Sequence, residues 1–399
     1  MGYTFNISEK IHRLGLGLSF AALLALFGGC SGSIYSNYRD VEQLQVVQTL
    51  GMDTYGQGVL LTVSTGQGLQ DMPAVLLSRP GESIASAIRE LQIYSGKDEL
   101  YYSHVRFALL GQSAAEKALG DFFGYLERST RLRPDIALFV VKDTTAKSLM
   151  SGSGEKNYEI GSVLSSIQRD SRRLSDPLAF SCREVIRSLS QYGSSLVCCV
   201  SSEKIHGTVF SESAELSAIP QGYGIIKDGA LAGFITPEET ACTNLLLGEG
   251  GLGPITLRDK DGQTITLGLE RSSVDFSALW EGDRLSEIHV TVKAAAALEE
   301  LEHSILPPDS LWIHRLASLF SEKLRLGCAS VLKKSQTLGA DFLGLARQLR
   351  RSSPREMALL GDGFPEALKT ARLYLTVDGS ISRSYEVGNP ENVGGSDNA

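Results

Sequence analysis

The first third of the chain alternates between short apolar runs and amphipathic stretches. Two runs, "VVQTLGMDTYG" and "GVLLTVSTG", predict strands joined by a turn around Asp53–Gly58. Apolar residues then recur at helical spacing over 83–94, which predicts a helix with Ser83 as its N-cap.

Two further strands are predicted over 104–111 and 135–143, where apolar residues follow one another with little interruption. Between them, residues 113–129 have the pattern of a single helix, and Ser113 with Glu116 has the spacing of a capping box. Strands that alternate with helices indicate an α/β arrangement in this part of the chain.

After residue 205 the pattern changes to hairpins. Asp228–Gly229 is a two-residue hairpin signal, and a second turn is expected near Asp261–Gly262. Between these hairpins, Thr236, Pro237 and Glu239 have the order of an N-cap, a first helical residue and the end of a capping box.

A long amphipathic helix is the main feature of the C-terminal third, and it is predicted over 311–336. One face of it carries Leu316, Phe320, Leu324, Cys328 and Val331. A shorter helix over 340–351 and a hairpin turning at Asp378–Gly379 are expected to follow. The acidic run Glu299–Glu300–Glu302 is typical of a solvated helix face.

These elements predict an α+β fold in which mixed or antiparallel sheets are flanked by helices. The predicted segments are a signal peptide over 1–29, a tether over 30–37, an N-terminal α/β domain over 38–204, a middle hairpin and helix domain over 205–276, a C-terminal α+β domain over 277–390 and a flexible tail over 391–399.

The N-terminus has the order of a secretory signal peptide. Lys10 and Arg13 precede an uncharged apolar stretch over 14–27, which as a helix reaches only about 21 Å and is short for a bilayer core. Gly28–Gly29 then precede Cys30, as in a bacterial lipoprotein signal. Cys30 is therefore the expected lipid-attachment residue, and an uncleaved anchor in which Cys30 is incidental is the alternative.

The chain is acidic, with a formal net charge of −8. An acidic surface does not favour nucleic acid, whose phosphates attract a basic face, and it does not favour anionic lipid headgroups. A locally basic patch at Arg169, Arg172 and Arg173 either contacts an acidic partner or is an ordinary solvated surface. Residence at a membrane therefore requires an anchor other than charge.

The six cysteines lack the C-x-x-C spacing of zinc sites and redox motifs. Cys198 and Cys199 lie in an apolar run, which favours burial in a strand. The disulfide state of the cysteines after Cys30 stays open, because their spacing gives no pairing framework. These are Cys182, Cys198, Cys199, Cys242 and Cys328.

The sequence contains no recognised catalytic motif. The run "GEGGLG" (248–253) contains G-x-G-x-x-G, but it follows a predicted helix and precedes a strand, so a turn at a helix C-terminus is favoured over a dinucleotide site. His104 is expected to be partly buried at the start of a strand, and His289 to point outward. We therefore expect a non-enzyme with no metal and no cofactor.

Five blocks, in order along the chain, resemble the Ger(x)C family, the C-subunit lipoproteins of spore germinant receptors. They are "YRDVEQLQVVQTLGMD" (38–53), "ASAIRELQIYSGKDELYYSHVRFALLG" (85–111), "LERSTRLRPDIALFVVKD" (126–143), "GYGIIKDGALAGFITPEETACTNLLLGE" (222–249) and "LGADFLGLARQLRR" (338–351). The second block includes the Tyr/Phe-x-His element of the family, which contains His104, and the last includes its Ala-Asp-x-x-Gly element.

The resemblance implies a three-domain, non-catalytic, lipid-anchored subunit of a nutrient germinant receptor that is required for spore germination. It places the protein on the extracytoplasmic face of the spore inner membrane, with an A-type and a B-type integral-membrane subunit as partners, and it carries over no ligand site. The alternative is an extracytoplasmic solute-binding lipoprotein of a transporter. That class has two α/β lobes around a cleft, and the hairpins predicted at 228–229 and 378–379 disfavour it.

Overall fold

The computed structural model describes residues 44–65, 75–96, 99–152, 160–205, 215–249, 253–260, 262–301 and 310–383. The strands are β1 (Leu44–Tyr55), β2 (Gly58–Thr65), β3 (Leu76–Gly81), β4 (Glu99–Tyr101), β5 (Phe107–Gly111), β6 (Ala137–Val141), β7 (Ser194–Ile205), β8 (Glu215–Lys227), β9 (Ala230–Ile235), β10 (Pro254–Arg258), β11 (Thr264–Glu281), β12 (Arg284–Leu301) and β13 (Arg372–Arg383).

The helices are α1 (Ile84–Tyr94), α2 (Gln112–Lys117), α3 (Leu119–Arg128), α4 (Ala146–Ser151), α5 (Ile160–Leu174), α6 (Cys182–Tyr192), α7 (Pro237–Leu246), α8 (Ser310–Leu338), α9 (Leu345–Ser352), α10 (Pro354–Leu360) and α11 (Phe364–Thr370). Short 3-10 turns lie at Tyr102–His104 and Gly361–Gly363.

Nine of the described strands form the first sheet, in the order β3-β2-β1-β5-β6-β7-β8-β9, with β4 paired to β1. Its central strands β1, β5, β6 and β7 are parallel. Antiparallel hairpins extend it on both sides. Every residue of β5 and β6 is buried, as expected for parallel strands that are covered on both faces.

The second sheet has the order β10-β11-β12-β13. Its first three strands are antiparallel, and β13 runs parallel to β12. Helix α8 packs on this sheet through the apolar face predicted from the sequence, whose five residues are all buried. The prediction of mixed and antiparallel sheets flanked by helices is therefore confirmed.

Three apolar cores hold these layers together. Helices α1, α2, α3 and α6 cover one face of the first sheet, and α4 and α5 cover the other. The third core joins the second sheet to helices α7 to α11. Phe180, just before α6, packs against both the first and the third core, so it lies where the two sheets meet.

Several local predictions are confirmed. Helix α1 begins directly after Ser83, which forms a capping box with Ser86. Asp228 and Gly229 both have positive φ, 51° and 78°, as the tight hairpin between β8 and β9 requires. Glu239 accepts a hydrogen bond of 2.9 Å from the backbone N–H of Thr236 at the start of α7.

The "GEGGLG" run begins where α7 ends. Leu247 is the C-cap of that helix, and Gly248 follows with a φ of 75°. Such a left-handed glycine is the usual way for a helix to stop. The predicted helix C-terminal turn is therefore confirmed at Gly248, and residues 250–252 lie outside the described ranges.

The prediction of one helix over 113–129 is wrong. Strand β5 leads directly into α2 with Gly111 as the N-cap, so Ser113 lies inside the first turn. Glu116 accepts a hydrogen bond of 3.0 Å from the Gln112 side chain instead of closing a capping box. Ala118, with φ −131° and ψ 12°, then separates α2 from α3.

The predicted hairpin turn at Asp378–Gly379 is also wrong. Strand β13 continues through both residues, which oppose Lys293 and Ala294 of β12. A glycine is needed there because α8 passes close above it: a Cβ on Gly379 would lie 2.7 Å from the Ser321 hydroxyl oxygen. The glycine therefore serves a close approach of helix and strand, not a turn.

Two C-terminal boundaries differ from the prediction as well. Glu299 and Glu300 lie in β12 and not on a helix, because the hairpin with β11 extends to the pair Ile265 and Leu301. The helix predicted over 340–351 begins only at Leu345, after a loop that contains a buried aspartate, Asp341.

The predicted three-domain division stays a prediction. Its boundary after residue 204 falls at the end of β7, which pairs with β8 in the same sheet, and its boundary after residue 276 falls within β11. The predicted signal peptide, tether and tail lie outside the described residues.

Candidate functional site

Cys30, the predicted lipid-attachment residue, lies outside the described residues, so its role stays a prediction. Within the part of the chain that the structure describes, no helix is both long enough and apolar enough to cross a membrane. Helix α8 is 29 residues long, but charged side chains such as Glu322 and Arg325 interrupt its surface and pair with each other.

The histidines do not gather into a site. His104 ends the 3-10 turn before β5 and is exposed, so the expectation of a partly buried side chain is wrong. It lies against Tyr101, with ring centroids 5.5 Å apart. His289 points outward, as predicted, stacks on Tyr374 and is 2.9 Å from a Glu287 oxygen. Among the described residues, no three His, Cys, Asp or Glu side chains could hold a metal ion.

The five described cysteines are free, buried thiols. Cys198 and Cys199 lie in β7, as predicted, but they contribute to cores on opposite faces of the sheet and do not face each other. Burial raises the pKa of Cys182 and of Cys199 to about 12. The pKa of Cys328 is also raised, mainly by its hydrogen bond with Cys242 and to a smaller extent by burial. The three thiols whose pKa is raised are poor nucleophiles at neutral pH.

A buried polar network lies at the junction of the two sheets. The hydroxyl of Tyr223, on β8, donates a hydrogen bond to the side-chain oxygen of Asn244 on α7. The same hydroxyl accepts a bond of 2.8 Å from the backbone N–H of Leu178. The Asn244 amide group donates to the backbone carbonyls of Ser175 and Asp176, at 3.3 and 3.0 Å.

These contacts join the loop before α6 to a strand and a helix that follow it in the chain. Tyr223 is fully buried, and burial raises the pKa of its hydroxyl, so it stays a neutral donor. This network was not predicted from the sequence, because its members are up to 69 positions apart.

Glu239 is a second junction residue. The sequence assigns it to the start of α7, and the structure adds contacts with two residues of α8, because its carboxylate accepts hydrogen bonds from the Lys334 ammonium and the Ser330 hydroxyl. Burial alone raises the pKa of this carboxyl, but these bonds and the Thr236 N–H hold it below its ordinary value. Lys334 also donates to the backbone carbonyl of Phe234, at 3.0 Å.

Two buried aspartates of the family-like blocks cap helices. Asp53, on β1, accepts hydrogen bonds of 2.8 and 2.9 Å from the backbone N–H groups of Ala146 and Lys147 at the start of α4. Burial raises the pKa of Asp53, and these two N–H groups oppose that rise. Its place in the "GMD" element is therefore explained by the anchoring of a helix to the sheet.

Asp341 has the same role in the Ala-Asp-x-x-Gly element. It is 1% exposed, and its two oxygens accept from the N–H groups of Leu345 and Ala346 at 2.6 and 2.8 Å. Burial raises its pKa to about 7, against the opposing effect of the backbone donors. Gly344, with a φ of 71°, supplies the left-handed residue that turns the chain into α9.

The basic patch predicted from the sequence lies on α5 and is exposed. Two of its arginines have acidic neighbours within the chain. Arg169 pairs with Asp170 and Arg172 with Glu249, each at 3.0 Å. These pairs do not decide between an ordinary solvated surface and a contact with an acidic partner.

Comparison with family models gives two matches. Residues 37–201 match "Spore germination protein N-terminal domain", and residues 221–385 match "Spore germination B3/ GerAC like, C-terminal". A comparison with curated proteins finds no match.

Among solved structures, the chain is similar to the one described as "Crystal Structure of the GerBC protein". The two share 18% sequence identity with a TM-score of 0.57, over 84% of this chain and 97% of that one. This likeness shows a common fold. With both family models matched in order along the sequence, the chain belongs to the Ger(x)C family of spore germination proteins.

Proposed function

We propose that the protein is the lipid-anchored, non-catalytic C subunit of a nutrient germinant receptor in the spore inner membrane. The observation that carries the proposal is the ordered match of both family models, which together cover residues 37–201 and 221–385. The proposed partners are an A-type and a B-type integral-membrane subunit, and the protein is required for germination.

The proposed anchor is Cys30, linked by a thioether to a lipid that carries two acyl chains. An acidic chain of net charge −8 is repelled by anionic headgroups, so its membrane residence requires a hydrophobic anchor. Two acyl chains provide stable anchoring at about 0.8 kcal/mol per buried CH₂.

A non-catalytic role is supported by the use of the buried polar groups. The carboxylates of Asp53 and Asp341 accept bonds from helix N–H groups, and Tyr223 is bound at both its donor and its acceptor side. These groups hold structural elements in place, so they are not available as acids, bases or nucleophiles.

Spores that carry Cys30→Ala test the anchor, with the neighbouring Ser31→Ala as the matched control. We expect Cys30→Ala to leave the membrane fraction and to slow germination on nutrients, while Ser31→Ala behaves as the unmodified protein. A Cys30→Ala chain that stays membrane-bound with normal germination contradicts the proposal.

Affinity capture from dormant-spore membranes tests the partners. We expect the tagged protein to bring down one A-type and one B-type subunit. Recovery of a permease and an ATPase in their place would show a transporter-associated protein and reject the receptor assignment.

A further inference from the structure

A cavity of about 330 Å³ lies between α6 and the segment that leads into α9. One wall comes from residues 180–196, in the first matched region, and the other from Leu247 and 342–347, in the second. The volume falls within the range of small-molecule sites, which often lie where two domains meet.

One side of the cavity is apolar. Phe180, Tyr192, Leu247, Phe342 and Leu343 line it, and all five also belong to or pack against the core of the second sheet. Phe180 in addition contacts the core of the first sheet. A ligand in the cavity therefore contacts a residue that links the two sheets.

Several polar side chains that line the cavity have hydrogen-bond partners within the protein. The Glu184 carboxylate accepts hydrogen bonds from the backbone N–H and the hydroxyl of Ser181, at 2.8 and 2.7 Å. The hydroxyls of Ser188 and Ser195 donate to the backbone carbonyls of Ser194 and Leu196, at 2.8 and 3.4 Å. The two hydroxyls and one Glu184 oxygen are therefore already bonded within the protein.

Two guanidinium groups are different. Arg187 lines the cavity from α6 and Arg347 from α9, and both are exposed. Among the residues that the structure describes, neither makes an ion pair or a side-chain hydrogen bond with another side chain. A guanidinium has donors in a fork that matches a carboxylate, so the polar side favours an anion.

We propose that this cavity binds a small carboxylate with an apolar tail. The carboxylate lies between Arg187 and Arg347, and the tail lies against Phe180, Tyr192 and Phe342. Because the two arginines come from different matched regions, the bound ligand links these regions and stabilises their junction. The inference goes beyond the receptor role and does not depend on it.

Binding of three probes to the purified full chain in detergent tests the proposal. The probes are 3-phenylpropionate, 3-phenylpropanol and 2-phenylethylamine, which share an aromatic tail and differ in the head group. We expect the carboxylate to bind with a dissociation constant of about 1 mM or lower and to raise the melting temperature. The alcohol and the amine are expected to bind at least about tenfold more weakly.

Arg187→Ala and Arg347→Ala are each expected to weaken carboxylate binding at least about tenfold. Arg183→Ala on α6 and Arg350→Ala on α9 are the matched controls, because both residues are exposed on the same helices and neither lines the cavity. Comparison of the measured affinities with those of the two control variants also corrects for any binding of the probes to the detergent.

Three results overturn the proposal: no carboxylate binding in the millimolar range, equal binding of carboxylate and alcohol, or binding that both arginine variants retain. The melting temperature of each variant without ligand shows whether it folds. None of these measurements involves Cys30 or a membrane partner, so this inference and the receptor proposal fail or succeed separately.

Discussion

The hydroxyl of Tyr223 donates a hydrogen bond to the side-chain oxygen of Asn244, deep in the junction of the two sheets. Tyr223→Phe removes this hydroxyl, so the side-chain oxygen of Asn244 loses its donor and the Leu178 N–H loses its acceptor in a buried place. We expect the free energy of unfolding to fall by about 1–3 kcal/mol.

Denaturant unfolding of the full chain measures this loss. Tyr374→Phe is the matched control, because Tyr374 is 44% exposed on the second sheet. A Tyr223→Phe chain as stable as the control variant would mean that the network contributes nothing to stability.

Asp341 gives the fold a predictable dependence on pH. Its pKa is raised from 3.8 to about 7 in the folded chain. Between these values the folded state binds more protons than the unfolded state, so this residue lowers the unfolding free energy as pH rises from about 4 to about 7. The slope is at most about 1.4 kcal/mol per pH unit.

Asp341→Asn cannot titrate, so we expect the difference in unfolding free energy between this variant and the unmodified chain to change across that pH range. Asp362→Asn, in an exposed 3-10 turn, is the control for the same substitution at the protein surface. Parallel pH profiles for Asp341→Asn and the unmodified chain would contradict the assignment.

Gly379 and Gly120 make a matched pair of glycine substitutions. Gly379→Ala places a Cβ within 2.8 Å of both the Ser321 hydroxyl and a Phe320 ring carbon, and we expect a loss of about 1–3 kcal/mol. Gly120 lies in α3 with open space around it, so Gly120→Ala is expected to stabilise the chain by up to about 1 kcal/mol. Thermal unfolding of both variants measures the contrast, and a harmless Gly379→Ala would argue against the close approach of α8.

Thiol labelling tests burial and lipidation together. The five described cysteines are buried, so we expect them to be unreactive towards an aromatic disulfide reagent in the native chain. In denaturant, a chain whose Cys30 is a thioether should show these five thiols, whereas an unmodified precursor should show all six cysteines. Six reactive thiols in protein from spore membranes would reject the thioether.

Sequence reasoning succeeded at several places where the signal lies within a few residues, although the equally local Ser113–Glu116 capping box does not form. Ser83, the Asp228–Gly229 turn and the Thr236–Glu239 cap each have all their determinants inside one turn of chain. The apolar face of α8 was also predicted, because its spacing repeats over a long stretch.

It failed where distant parts of the chain decide the outcome. Asp378–Gly379 has the same dipeptide as Asp228–Gly229, but α8 packs above it and β12 pairs beside it, so it stays extended. Lys334 reaches Glu239 from 95 positions away, and no local pattern marks such a pair. The assignment of Cys30 depends only on the order of the residues around it in the sequence, and it stays a prediction because Cys30 lies outside the described residues.

The parallel pairing of β13 with β12 has a consequence for synthesis. Val290 opposes Leu375, and four described helices lie between them in the chain. Until β13 arrives, one edge of β12 has no hydrogen-bonding partner, and the side of α8 that packs on β13 is open to water. A ribosome must therefore deliver nearly the whole chain before this half can close, which exposes the nascent protein to aggregation. A chain that ends before Arg372 lacks β13, so the edge of β12 and the side of α8 would stay exposed to water.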